Sequence, residues 1–264
     1  MNVTATRSSD LTRQIAVLSA TGFMLVAAMV GTGLFGGTAV QDLQDGALDA
    51  DASYLAPAQQ AFSIWSAVYI GLIAYAVWQA LPGQRGSERQ RRLGWLIALT
   101  EVLNGLWLVS AQYTTLPITV LVIVLLLAAL AFTWRRIVRE RGEGVVSAVL
   151  IDGVTGLHLG WVTLATVANT AAFLTRTLPA ETESAADVWG VVVLIAVAAI
   201  GCGIAWFGRI APSIALVWGL SWLAVGRLAD EPESTTIGIA AIVAAAVIAL
   251  VTIVRVVGRL RARR

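Results

Sequence analysis

The sequence predicts an all-α fold: a polytopic membrane helix bundle of about eight transmembrane helices, with both termini cytoplasmic. The first observation is composition, since 58% of the 264 residues are hydrophobic and only 13% are charged. The mean hydropathy of +0.81 is likewise outside the range of a soluble domain. The second observation is a series of apolar stretches long enough to cross a bilayer. The third is the placement of arginines, which alternates along the chain and predicts its orientation.

Eight candidate membrane spans follow one another, because a helix needs about 20 mostly apolar residues to cross the hydrocarbon core. They lie at about 14–36, 61–81, 93–112, 116–134, 145–174, 188–207, 211–227 and 237–256. The first is too long for the apolar region of a signal peptide, so we expect it to remain as a helix. The fifth is the longest and contains Gly153, Gly156 and Gly160. We expect it to tilt, bend or pack closely on a neighbour, or else to project past the membrane.

The connections between these spans separate basic from acidic residues. With the N-terminus inside, only Arg176 and Arg227 among the arginines fall on the outer side. The inner segments hold Arg7, Arg13, Arg85, Arg89, Arg91, Arg92, Arg135, Arg136, Arg139, Arg141, Arg209, Arg255, Arg259, Arg261, Arg263 and Arg264. The outer segments collect Asp42, Asp45, Asp49, Asp51, Glu181, Glu183, Asp187, Asp230, Glu231 and Glu233. Because arginine is retained on the cytoplasmic side, this pattern predicts a multi-pass protein of the cell membrane.

Several kinds of chemistry are excluded by residue types that the chain lacks or has only once. Cys202 is the single cysteine, which excludes an intrachain disulfide and a zinc or iron–sulfur site made of this chain's cysteines. The sequence has no lysine, so a Schiff base or a phosphate-loop lysine is excluded too. It also lacks the motifs of metalloproteases, serine hydrolases and dinucleotide-binding enzymes. We therefore expect no metal site and favour a protein that is not an enzyme.

Three short motifs lie on the second, third and fifth predicted helices. They are AFSIW at 61–65, followed by Tyr69, then LNGLW at 103–107 and WVTLATVAN at 161–169. In order and spacing they resemble the TspO/MBR family of tryptophan-rich sensory proteins and translocator proteins. Members of that family show F-x-P-V-W-x-x-L-Y, L-N-x-x-W and W-V-x-F-A-x-x-L-N. The resemblance covers about residues 14–175.

This resemblance divides the chain into two parts. Residues 1–175 would form a TspO-like five-helix bundle with an outer loop at 37–60, and residues 176–264 would add three transmembrane helices and a basic C-terminal tail. The motif at 61–65 lacks the family's proline and is one residue shorter, and the added helices have no counterpart in the five-helix pattern. The resemblance implies an aromatic-lined cavity that binds a porphyrin, a haem-like tetrapyrrole or a similar flat hydrophobic ligand. The cofactor itself is unknown, with a porphyrin or haem as the candidates.

Aromatic residues of the three motifs are expected to gather in the outer half of the membrane, beneath the long loop. A helix rises about 1.5 Å per residue, which places Trp65, Tyr69, Trp107 and Trp161 at that depth. Indole and phenol rings supply stacking area for a flat apolar ligand, so these residues are the candidate walls. For three tryptophans near helix ends we favour instead a belt that faces lipid headgroups, namely Trp95, Trp134 and Trp189.

Polar residues beside these rings are the candidate ligand contacts. Asn104 and Asn169 belong to the motifs and are expected to orient the ligand. His158 is the only histidine and would be an axial ligand if the tetrapyrrole contains iron. The alternative is that it forms an ordinary hydrogen bond with a neighbour.

Two carboxylates, Glu101 and Asp152, lie inside predicted helices and below the aromatic residues. A carboxylate within a bilayer costs several kcal/mol unless it is paired, hydrated or protonated. No arginine is expected at matching depth, so both carboxylates should face protein or water, and both are candidates for proton handling. The alternative for the polar stripe of the fifth helix, which includes Asp152, is ordinary interhelical hydrogen bonding.

The leading hypothesis is a TspO-like sensor or carrier for a porphyrin, a tetrapyrrole or a similar ligand. The alternatives are a proton-coupled membrane transporter that uses Glu101 and Asp152, and an enzyme that degrades its bound pigment. The expected partners are the lipid bilayer and a small hydrophobic ligand. Nucleic acid is not expected, since the basic tail suits anionic lipid headgroups. Gly156-x-x-x-Gly160 permits close helix packing, either within one bundle or between the two chains of a homodimer.

Overall fold

The computed structural model of this chain describes residues 7–35, 38–140, 142, 144–179, 184–207 and 210–262. These residues form no strand, and eight of their helices are long and apolar enough to span a membrane, which confirms the predicted all-α fold. The helices are α1 Ser8–Gly31, α2 Ile64–Ala80, α3 Glu88–Tyr113, α4 Leu116–Arg139, α5 Gly144–Thr177, α6 Ala186–Trp206, α7 Ala211–Ala229 and α8 Thr235–Arg261. Six of the charged residues from which the orientation is predicted lie outside the described residues, namely Arg141, Glu181, Glu183, Arg209, Arg263 and Arg264.

The first five helices form a closed bundle. Helix α1 packs against α2 and α3, α3 against α4, α4 against α5, and α5 returns to α2. Helix α7 packs on the outer side of α5, and α8 and α6 follow as a further layer. Successive helices run in opposite directions, so the bundle has a basic end, where α3 begins with Arg89 and Arg91, and a loop end, which carries residues 38–58. The membrane side that each end faces stays a prediction.

Helix α5 is irregular near its start. It widens into one π-helical segment at Ala148–Gly153 before it continues as a regular α-helix. Further along, Gly160 lies against the start of α7, where a Cβ added to it would be only 2.2 Å from the carbonyl oxygen of Pro212. The glycine pair of α5 therefore permits a close contact within one chain.

The loop at the loop end is fastened to the helices by side chains that donate to its carbonyl groups. Arg227 of α7 is buried and donates to the carbonyl oxygens of Ala50 and Ser53, at 3.2 and 3.1 Å. Arg176 of α5 donates to the carbonyl oxygen of Asp45. These are the two arginines that the sequence places on the outer side, and their role in binding the loop explains why they stand apart from the rest.

The three tryptophans expected in a headgroup belt differ in exposure. Trp189 is 65% exposed and Trp95 is exposed as well, as a lipid-facing position requires. The prediction for Trp134 is wrong, because this side chain is only 5% exposed and packs in the core of the five-helix bundle. Its ring fits there because Gly156 of α5 has no side chain, so that a Cβ at Gly156 would lie 3.1 Å from the ring.

Candidate functional site

An aromatic cluster lies where α2 meets α5, and it consists of Phe62, Trp65, Tyr69, His158 and Trp161. The rings of Trp65 and Tyr69 are stacked, with centroids 5.1 Å apart and an interplanar angle of 23°. His158 and Trp161 both meet Trp65 edge to face, at 5.8 and 6.2 Å. Helical spacing places Trp65 and Tyr69 on one face of α2 and His158 and Trp161 on one face of α5, and the packing of α2 on α5 brings the two faces together.

The members of the aromatic cluster differ in burial. Trp161 is 1% exposed and packs between α2 and α7, in a buried group with Ala61, Ile64 and Ala215. Trp65 is only half-buried. Its stacked pair with Tyr69 therefore leaves a flat aromatic surface that the protein does not cover completely.

Asn104 of α3 contacts the cluster through His158. The amide nitrogen of Asn104 lies 3.1 Å from Nε2 of His158. With that nitrogen as the donor, Nε2 accepts the hydrogen bond and Nδ1 carries the ring hydrogen. In this tautomer the lone pair on Nε2 is engaged by Asn104, and axial ligation of an iron ion by His158 stays a prediction. Among the described residues, no group of three or more His, Cys, Asp or Glu side chains is placed to hold a metal ion.

Trp107 and Asn169 form a second group, nearer the loop end. The indole nitrogen of Trp107 donates to Oδ1 of Asn169 at 3.1 Å, and Nδ2 of Asn169 donates to the hydroxyl of Thr119 at 3.0 Å. This group joins α3, α5 and α4. Asn169 comes eight residues after Trp161, which places it about 12 Å further along α5. The candidate residues thus occupy two successive layers of the bundle.

Glu101 lies one turn before Asn104 on α3 and is fully buried, at 0% exposure. Its Oε2 accepts a hydrogen bond of 2.8 Å from the hydroxyl of Thr21 on α1. Its Oε1 has no hydrogen-bond partner in the described part of the chain. A buried oxygen without a partner loses its hydrogen bonds to water and gains none from the protein. Glu101 at this position therefore lowers the stability of the folded state.

Asp152 is placed differently from the sequence expectation. It lies in the π-helical segment of α5 and forms a buried ion pair with Arg89, which also donates to the hydroxyl of Ser147. The expectation that no arginine lies at matching depth is therefore wrong for Asp152. The reason is the length of the arginine side chain, which extends from the first turn of α3 towards α5 while its backbone stays at the basic end.

The threonines on the polar stripe of α5 do not link helices through their hydroxyl hydrogens. Thr163, Thr166 and Thr170 each donate to the carbonyl oxygen four residues earlier, at 2.7 to 2.8 Å. Such bonds satisfy the hydroxyl within its own helix. Interhelical bonding on α5 comes instead from Asp152 on this stripe and from His158 and Asn169 on the adjacent one.

Some residues of the site were not proposed from the sequence. Phe62 meets Trp161 edge to face at 5.6 Å, and its position three residues before Trp65 within the motif was the available signal. Thr119 and Thr21 also bind site residues. No motif includes either threonine, because their roles come from contacts between helices far apart in sequence.

Comparison with known families extends the sequence resemblance. A family model described as TSPO-like protein matches residues 13–254. The match continues beyond the three motifs and includes α6 and α7 and most of α8. No curated protein and no solved structure matches the chain.

Proposed function

Because the chain belongs to the TSPO-like protein family, we propose that it is a membrane sensor or carrier that binds a porphyrin, a tetrapyrrole or a similar flat hydrophobic ligand at the aromatic cluster. The observation that supports this function is the stacked pair of Trp65 and Tyr69, which presents a partly uncovered flat surface. The rings of His158 and Trp161 stand at 71° and 85° to the ring of Trp65. A flat ring system can therefore stack on one surface while its edge meets the other two rings.

Polar atoms next to the cluster support a ligand that also forms hydrogen bonds. Three of the buried polar atoms that lack a hydrogen-bond partner among the described residues lie at the cluster or beside it: Oδ1 of Asn104, Nδ1 of His158 and Nε1 of Trp161. Buried polar atoms are normally paired, and leaving one unpaired costs about 1–3 kcal/mol. A natural porphyrin carries carboxyl groups on its edge, which accept hydrogen bonds and donate them when protonated, so the edge of such a ligand suits this set of atoms.

Quenching of tryptophan fluorescence tests this function. Protoporphyrin IX is titrated into the purified full chain, and we expect saturable quenching. Trp65→Ala removes the stacking surface and should weaken the affinity about ten-fold, which corresponds to about 1.4 kcal/mol. Trp107→Ala and Trp161→Phe should weaken it as well, and the phenylalanine in the second variant preserves part of the packing.

Trp189→Ala is the matched control, because this ring lies on the exposed surface of α6 and away from the cluster. It should lower the total fluorescence and leave the porphyrin affinity unchanged. Equal affinities in Trp65→Ala, Trp161→Phe, the control and the wild type would reject the aromatic cluster as the binding site. Porphyrin flux into proteoliposomes then distinguishes a carrier from a sensor.

A proton-coupled transporter is the second candidate function, and the environment of Glu101 favours it. This carboxyl group is fully buried and has one oxygen without a partner among the described residues. Asp152 is the weaker candidate for proton handling, because Arg89 already pairs with it. Porphyrin flux that follows a pH gradient and is lost in Glu101→Gln would support this function. Glu88→Gln, at the exposed start of α3, is the control.

An enzyme that degrades its bound pigment remains the third alternative from the sequence. Incubation of the porphyrin-loaded protein in light and in darkness, followed by absorption spectroscopy, separates degradation from binding. A stable spectrum in both conditions would reject this alternative.

A further inference from the structure

A second feature of interest is an apolar groove between α7 and α8, which we call the α7–α8 groove. It has a volume of about 660 Å³ and extends along α7 from Ser213 to Val225, with Ala249 and Thr252 of α8 on its other side. The twelve-residue separation on α7 corresponds to a length of about 18 Å. Val225 is exposed on the surface of a predicted membrane span, so the groove opens towards lipid. Its volume lies within the range of about 300–1,000 Å³ that is usual for ligand sites.

Two tryptophans form the inner wall of the α7–α8 groove. Trp218 and Trp222 meet edge to face, with centroids 5.7 Å apart and an interplanar angle of 70°. The indole nitrogen of Trp218 donates to the carbonyl oxygen of Ala61 at 3.0 Å, just before α2. Trp222 packs against the buried group that contains Ala61 and Trp161. The same two indoles therefore separate the groove from the aromatic cluster.

The lining of the groove offers a ligand almost no free polar group. The hydroxyl of Ser213 is buried beneath it, the residue being 2% exposed. The hydroxyls of Ser221 and Thr252 donate to carbonyl oxygens of their own helices. A molecule in the groove would thus meet aromatic rings and aliphatic side chains, which suits a hydrophobic ring system.

The ends of the five-helix bundle are less suited to admit such a molecule. At the loop end, Arg227 and Arg176 hold the loop on the helices. At the basic end, Arg13 and Gln79 are buried and hydrogen-bonded to each other. A hydrophobic ligand is also concentrated in the bilayer. It can therefore enter from the side of the bundle without leaving the lipid, whereas entry at either end would require it to do so.

We propose that the α7–α8 groove is a lateral access site, through which the flat hydrophobic ligand passes from the bilayer to the aromatic cluster, with Trp218 and Trp222 as the gate. This proposal rests on the proposed function. Passage requires the two indoles to turn and the hydrogen bond from Trp218 to Ala61 to break. The ligand occupies the groove only while it passes through, and at equilibrium it is bound at the aromatic cluster.

Binding kinetics test this proposal. Ala249→Phe places a ring inside the groove without touching the cluster, and Ala246→Phe makes the same change one turn earlier on the exposed face of α8. Each purified full-length variant, in lipid nanodiscs, is mixed with vesicles containing protoporphyrin IX, and porphyrin emission is followed. We expect Ala249→Phe to slow association and dissociation about ten-fold each, with an unchanged Kd. Ala246→Phe should match the wild type.

Four results would overturn the proposal. Equal rates in Ala249→Phe and Ala246→Phe would show that the groove is not on the route. A lower number of bound porphyrins in Ala249→Phe, with unchanged rates for those that remain, would identify a separate end site. Loss of binding in Trp65→Ala together with unaltered rates in the groove variants would uphold the proposed function and reject lateral access. Absence of porphyrin binding by the wild type would reject both.

A second variant tests the gate and does not depend on filling the groove. Trp218→Phe retains a ring but removes the hydrogen bond to Ala61, so the gate should open more often and association should accelerate about three-fold. Trp189→Phe on α6 is the control and should leave the rate unchanged. Porphyrin emission is the readout, since the number of tryptophans changes. Unchanged or slower association in Trp218→Phe would argue against a gate at this position.

Discussion

Arg89 and Asp152 form a buried ion pair that joins the first turn of α3 to the π-helical segment of α5. Arg89 also donates to the hydroxyl of Ser147, one turn earlier on α5. One guanidinium group thus binds both ends of the irregular segment. The pair therefore fixes the position of α5, which carries His158, Trp161 and Asn169 of the candidate site.

Replacing one partner of this ion pair should destabilise the protein strongly. Asp152→Asn leaves the charge of Arg89 buried without a counter-charge, and we expect a loss of about 3–5 kcal/mol in unfolding free energy. Thermal unfolding in detergent measures the effect as a lower Tm. Glu88→Gln is the control, because the Glu88 side chain is exposed and its partner Arg91 keeps its ion pair with Asp10, so the Tm should change little.

The double variant Arg89→Met with Asp152→Leu should recover most of this stability, since apolar residues of similar size can replace a buried pair. A double variant as unstable as Asp152→Asn would show that the loss comes from packing rather than from an unpaired charge.

A methyl group at Gly160 should disrupt the contact between α5 and α7. The added Cβ would lie 2.2 Å from the carbonyl oxygen of Pro212, which belongs to the backbone and has little freedom to move. We expect Gly160→Ala to lower the unfolding free energy by about 1–3 kcal/mol. Gly203→Ala on α6 is the control, because nothing lies within 4 Å of its added Cβ. A Tm for Gly160→Ala equal to that of the control would contradict the close packing.

Removing the guanidinium group of Arg227 should release the loop at the loop end. Arg227→Gln loses donors to the carbonyl oxygens of Ala50, Ser53, Glu231 and Pro232. Because the loop contains several aspartates and no arginine, a protease specific for acidic residues should cleave it about ten-fold faster in this variant. Arg255→Gln, at the basic end, should be cleaved at the wild-type rate. Equal cleavage in both variants would mean that Arg227 does not hold the loop.

The predicted orientation can be tested by labelling single cysteines in a Cys202→Ala background. Asp42→Cys lies in the loop at the loop end, and Gly83→Cys lies between α2 and α3 at the basic end; both positions are exposed. A membrane-impermeant maleimide should label Asp42→Cys on intact cells and Gly83→Cys only after permeabilisation. The reverse pattern would place both termini outside.

Features that depend on local composition and period were predictable from the sequence. The number of spans, the close packing of α5 at Gly160 and the family follow from apolar length, glycines and three motifs. Trp65 and Tyr69 were both expected among the walls of one cavity, and their rings, four residues apart, are stacked on each other. The two arginines predicted on the outer side both bind the loop.

Features that depend on how helices meet were not predictable. The depth of Asp152 could be estimated by counting residues from the start of the helix, but the distance that the Arg89 side chain extends could not. The same counting predicted Trp134 in a headgroup belt, although its ring is buried against Gly156. The hydrogen bond from Thr21 to Glu101 joins residues 80 positions apart, and no local pattern encodes it.

The amino-acid sequence by itself determined which segments enter the membrane, because transfer into hydrocarbon is a sum over the residues of one segment. The tertiary structure alone decided which polar groups are paired, that Trp107 and Trp161 lie in different layers, and that α7 covers the aromatic cluster from the side. These properties arise from side-chain packing and hydrogen bonds between distant helices, whose geometry depends on all of the helices together.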